Sequence, residues 1–183
     1  MVKIVVPGSN EKEKAIFTKL NINLIESISE KKFEDEVIAY LNQHNVLHLA
    51  TSKNDIPRST PLEYFNNGLI VYVLSMGGDK FANLMANPKV CFSISDPYEP
   101  AEDFFGAVGV QVWGNALIFK KNDDKDRFEQ INKYSRNVEV LKKHGLDQMA
   151  TQFNFNVITI EPLRIRYLNM RKGFRNVSWE KDA

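Results

Sequence analysis

Cysteine is almost missing from this chain: Cys91 is the only one in 183 residues. Intrachain disulfides and cysteine-rich zinc sites are therefore excluded. Histidine is nearly as scarce, and His44, His48 and His144 stand too far apart in sequence for a recognisable metal spacing. Charge of one sign is not in excess either. The 24 basic side chains face 23 acidic ones, leaving +1, which speaks against a partner recognised through a strong basic field, such as nucleic acid. No apolar run approaches the ~20 residues of a membrane-spanning helix. The opening MVKIVVPGSNEKEK holds too short an apolar stretch for a signal peptide. The expectation is a cytoplasmic chain with neither a membrane nor a nucleic-acid partner. No Ser-His-Asp or paired-carboxylate spacing is present, so no catalytic residue is assigned.

What the chain does have is material for a core. Apolar residues make up 43%, with 12 Phe and 6 Tyr, which fits a single folded domain. Residues 1–30 read as an N-terminal arm, and 31–183 as the domain. In KKFEDEVIAYLNQHN, Phe33, Val37, Ile38 and Leu41 share one face of a predicted helix. Strands follow at 46–52, 58–65, 69–75 and 89–95, with Asn66-Asn67-Gly68 as a hairpin turn. A long strand spans 108–121, and its interior Gly114 predicts a bulge or a barrel bend. DDKDRFEQINKYSRNVEVLKKHG predicts one helix, with Phe128, Ile131, Tyr134, Val138 and Leu141 as its buried stripe. FNVITIEPLRIRYLNM returns to strand, with a kink at Glu161-Pro162. The order predicts a mainly β fold (a β-rich α+β chain): an antiparallel split barrel with flanking helices.

The most informative stretch is LSMGGDKFANLMANPKVCFSIS, residues 74–95. Paired glycines and a lysine open a helix only two turns long. A phosphate needs converging N–H groups and a cation; a helix tip, Gly77, Gly78 and Lys80 could supply both. If 58–65 pairs with 69–75 through the Asn-Asn-Gly turn, Arg58 joins Lys80 at the same end of the sheet. The competing reading is a plain turn, with Asp79 capping the helix through the Phe81 or Ala82 N–H and Lys80 solvated.

At this point the residues resemble a known group. The LATS strand end, the PRSTP strand and the K-x-x-N-L-x-x-N-P-x-V run (Lys80, Asn83, Leu84, Asn87, Pro88, Val90) are similar to the pyridoxamine 5'-phosphate oxidase-like, FMN-binding split-barrel superfamily. GVQVWGNA and ITIEPLRIRYLNM resemble its later strands, and the likeness covers roughly residues 33–170. The resemblance implies a homodimer with two FMN sites at the subunit interface and an oxidoreductase passing electrons or hydride from a reduced donor to a small molecule. It implies Arg58, Ser59 and Thr60 at the phosphate or ring edge, and Leu74 and Ser75 flanking the ring. Lys80 would hold the phosphate at a tip made with Gly78 and Asp79, and Gln111 would reach the partner's flavin. Three features depart from the pattern. The family's Gln comes earlier relative to the strand glycine, here Gly109, than Gln111 does. Asp79 stands where the vitamin-processing oxidases carry a basic residue, and LNMRKGFRNVSW lacks their C-terminal substrate histidine. A true vitamin oxidase is therefore not expected. A heme- or other ligand-binding barrel without flavin turnover, and an interaction module with a vestigial pocket, are the alternatives.

Overall fold

The computed structural model describes residues 1–182 apart from 136, 147 and 149–151. Nine strands form one antiparallel sheet system: β1 (Val2–Val5), β2 (Val46–Lys53), β3 (Ile56–Glu63), β4 (Phe65–Asn67), β5 (Ile70–Ser75), β6 (Lys89–Ser95), β7 (Val108–Lys120), β8 (Asn156–Asn169) and β9 (Phe174–Lys181). The main path runs β1-β9-β8-β7-β6-β2-β3, and the β4–β5 hairpin joins at β8. Strand β8 explains the split. Its whole length pairs with β7, while on its other edge Asn156–Ile160 pairs with β5 and Arg164–Asn169 with β9. The sheet parts between those two segments. There the β7–β8 register shifts at Trp113/Gly114, and a Cβ on Gly114 would stand 2.2 Å from the Glu161 carbonyl oxygen. Only glycine allows that approach, so the predicted bulge is present.

Two parts of the sequence reading need correction. The segment 58–65 is not one strand and does not pair with 69–75. Asn54 and Asp55 both adopt positive φ (52° and 60°), which closes a two-residue hairpin, and β3 pairs along its full length with β2. The chain then turns at buried Tyr64, whose N–H donates to Asn45 O (3.0 Å) and whose hydroxyl donates to Leu41 O (2.7 Å). Only then does the short β4 lead through the Asn-Asn-Gly turn into β5. The single long helix after β7 is also two: α4 (Lys125–Asn132), capped by Asp124, and α5 (Asn137–Lys143). Phe128 and Ile131 are buried as expected, whereas Tyr134 is 46% exposed in the break between them. The side chain of Val138 lies outside the described residues.

Helix α1 (Glu11–Lys19) carries a reciprocal cap between Asn10 and Glu13, and α2 (Glu30–Gln43) is capped by Ser29. Residues 1–30 contribute β1 to the sheet edge and bring Phe17 and Ile22 against Met170. The barrel core gathers Phe33, Val37, Leu47, Leu49, Val71, Val73, Phe92, Ile158 and Ile165, each almost fully buried. On the outer side of β4, β5 and the start of β8, helix α4 packs Phe128 and Ile131 onto Phe65, Tyr72 and Val157. No helix among the described residues is long and apolar enough to cross a membrane.

Candidate functional site

The stretch between β5 and β6 folds into a turn followed by α3 (Asp79–Ala86), which docks on β2. Two asparagines fix that docking. Asn83 donates to the hydroxyl of buried Thr51 and Asn87 to the hydroxyl of Ser52, each at 3.0 Å. Leu84 points into the barrel core. The regular spacing of Lys80, Asn83, Leu84 and Asn87 is thus the pattern of one helix face held against one strand.

The glycines differ in role. Gly78 is the helix cap with φ +106°, a conformation that L side chains rarely adopt, and no side chain caps this helix. Gly77 faces open space where a Cβ would be. Lys80 is 8% exposed, and its ammonium donates to the Gly77 carbonyl at 2.5 Å. It is therefore not solvated. Burial pushes its pKa down; the nearby Arg58 charge lowers it further, and Asp79 raises it. Asp79 does not cap the helix. Its carboxylate accepts from Arg58 Nη1 at 2.7 Å.

Arg58 and Lys80 are brought together as expected, although by another route. Arg58 sits opposite Thr51 in the β2–β3 ladder, and Thr51 carries α3 through Asn83. Strand β2, not a β3–β5 pairing, bridges the two cations. Beside them an open groove of about 360 Å³ is lined by Lys53, Asn54, Ile56, Pro57, Arg58, Asp79 and Asn83.

The remaining expected positions separate by face. In the ladders, Arg58 and Thr60 lie opposite buried Thr51 and Leu49 on the inward side of the sheet, while Ser59 lies opposite Ala50 on the outward side. Gln111 is exposed on that same outward side, in register with Ser93 and Arg166, three strands away from β3. That distance is about 14 Å at the usual strand spacing. Ser75 lies beside the glycine turn, its hydroxyl donating to Gly77 O at 3.3 Å. Leu74 points the other way, into the α4 cluster and a cavity of about 260 Å³ bordered by Tyr64, Phe65 and Ser135. The side chains of Leu74 and Ser75 thus point to opposite faces of β5.

Other residues take roles the sequence did not reveal. Trp113 lies on the outward face with the guanidinium groups of Arg164 and Arg166 at 5.3 and 5.7 Å from its ring. Alternation along β7 and β8 could have shown that these three share a face. Arg171 is tied to Asp103 and to the Leu20 and Phe104 carbonyls. His48 is exposed on the outward face of β2.

Known proteins share this architecture. The chain is similar over 75% of its length, and 98% of the other chain, to a candidate pyridoxamine 5'-phosphate oxidase from Listeria innocua, with 26% identity and a TM-score of 0.54. An FAD-binding protein from Mesorhizobium loti matches at 22% identity and TM-score 0.52, covering 85% of this chain and 96% of that one. HutZ, the heme storage protein of Vibrio cholerae, matches at 17% identity and TM-score 0.58, covering 76% and 97%. These last two likenesses are of fold. None of the curated proteins matches the chain. The family profile described as pyridoxamine 5'-phosphate oxidase matches residues 33–169, which span β2 to β8 and every element around Arg58 and Lys80. The chain belongs to the pyridoxamine 5'-phosphate oxidase family.

Proposed function

We propose that the chain binds FMN between two copies of itself in the cytoplasm. It would serve as an oxidoreductase passing hydride or electrons from a reduced donor to a small molecule. One observation carries the reading: a buried ammonium, Lys80, with its pKa depressed, stands beside a second cation at a glycine-opened turn. A buried cation that lacks a carboxylate on its own nitrogen gains when an anion arrives.

The residues present fit a phosphate. Gly77 and Gly78 place no side chain over the turn, so backbone N–H groups can lie close to the oxygens. Lys80 would act as a point charge and Arg58 as a planar fork. Asn83 and Asn87 keep the helix tip in place by holding α3 on β2. When bound, the flavin supplies the redox chemistry, and the protein supplies placement and charge.

The two-faced distribution of the other residues supports a dimer. Gln111 lies three strands away from the groove of its own chain, but a two-fold partner could present it there. Strand β3 is an edge strand with most of its residues exposed, and the outward face beside it carries small side chains: Ala50, Ser52, Cys91 and Ser93. Small residues let a second sheet or a flat ring approach closely.

Titration of the purified protein with FMN, followed by visible absorption, tests the reading. Perturbed flavin bands with saturation are expected, and sedimentation should give twice the 21.0 kDa chain mass. A Soret band forming with hemin at far lower concentration than FMN is needed would instead support the heme alternative. A monomer that leaves the flavin spectrum unchanged would contradict the proposal.

A further inference from the structure

We infer that Asp79 is a built-in competitor for the phosphate, so that flavin is held loosely and exchanges with the free pool. The inference rests on the FMN reading above and concerns the same groove. The Arg58 guanidinium, one of the two cations available to a phosphate, is already engaged by the Asp79 carboxylate at 2.7 Å. The other, Lys80, donates to the Gly77 carbonyl. Two cations and one anion leave the cradle a net charge of +1, half of what a phosphate dianion would neutralise.

The Asp79 side chain is 80% exposed and needs no burial to be where it is. Its carboxylate meets the cation of β3 from the first residue of α3, the turn that a phosphate would approach. A ligand phosphate must therefore displace Asp79 from Arg58 or accept a carboxylate within about one ion-pair distance. Either course weakens binding through lost pairing or like-charge repulsion, and both effects are screened by salt. A neutral isostere at this position removes the competitor while leaving Lys80, Arg58 and the turn intact.

The test is to measure equilibrium binding of FMN and of riboflavin, which lacks the phosphate, to wild type, Asp79→Asn and Lys80→Met by quenching of flavin fluorescence. Asp79→Ser serves as a second variant should the amide fail to fold. The expected result is FMN affinity about tenfold tighter in Asp79→Asn at low salt, a smaller gain at high salt, and riboflavin affinity unchanged. Unchanged or weaker FMN binding in Asp79→Asn, with Lys80→Met still losing FMN, overturns the inference and leaves the FMN reading intact. Equal binding of FMN and riboflavin by all three proteins overturns both.

Discussion

Two lysines in this molecule are shifted in opposite directions. Lys172, in the turn before β9, hydrogen-bonds to Glu36 of α2 at 2.7 Å, and that bond raises its pKa. Lys80, at the tip of α3, has its pKa lowered, chiefly by burial. The difference extends to their surroundings. Around Lys172, charges on one element answer charges on another. Arg171 pairs with Asp103 of the β6–β7 loop and Arg175 with Glu13 of α1, and the His44 ring is hydrogen-bonded to Asp96. These pairs fasten the N-terminal segment, α2 and the loop to the barrel. Around Lys80 the ammonium faces a carbonyl, and the nearby Asp79 carboxylate is spent on Arg58. One end of the barrel uses its charges to close the fold, whereas the other holds a cation in a position that folding alone does not reward.

That contrast can be broken from either side. The largest effect is expected at Gly173, between the Lys172 turn and β9. Its φ is +83°, and a Cβ there would stand 2.4 Å from the Asn23 carbonyl oxygen. Gly173→Ala should cost about 3 kcal/mol or more, from left-handed backbone strain and displacement of residues 23–25. Thermal unfolding should report it, a drop of roughly 6–12 °C at this chain length, while FMN affinity stays within twofold. A loss of FMN binding equal to the loss of stability would show that the two ends are not separable.

At the other end, Asn83→Ala removes the partner of the buried Thr51 hydroxyl and loosens α3. A stability loss of about 1–3 kcal/mol is expected in denaturant unfolding, the cost of orphaning a buried polar group. FMN binding should fall with it, because Lys80 and the turn move with the helix. Unaltered FMN affinity in this variant would mean that α3 does not position the cradle.

The smallest effect separates the two lysines by pH. A raised pKa gives stability that is present below the unfolded value and lost as pH climbs through the folded one. A lowered lysine pKa gives the reverse: a penalty complete below the folded value and relieved as pH rises through it toward 10.5, the ordinary value. Lys172→Met should therefore lower stability at neutral pH, with the loss fading at high alkaline pH. Lys80→Met should raise stability slightly at neutral pH, and its advantage should shrink as pH rises toward 10.5. Urea unfolding across the alkaline range would show the two difference curves with opposite signs; curves of the same sign would refute the contrast.

Much of the fold was legible because alternation and turn chemistry act locally. Residues 89–95 and the irregularity of the β7–β8 ladder at Gly114 follow directly from pattern. The partner of β3 was not, since two hairpin turns competed for it. Asn54-Asp55 closes the tighter one, while Tyr64 breaks the strand by a hydrogen bond to residues more than twenty positions away. Strands β1 and β9 escaped notice as well, because an edge pair is decided by the sheet it joins rather than by its own residues. At the site, spacing and glycine content brought Arg58, Gly78 and Lys80 into one proposal. That Leu74 and Ser75 serve different faces of β5 follows from strand alternation, whereas Asp79 turning to Arg58 instead of capping its helix depends on packing that no local pattern encodes.

The central claim is that Lys80 is buried to meet a phosphate, and a direct measurement is the FMN dissociation constant of wild type against Lys80→Ala. Loss of a charge-assisted hydrogen bond predicts binding weaker by about 1.5–3 kcal/mol, with riboflavin affinity unchanged. Equal FMN affinity in the two proteins would contradict the account.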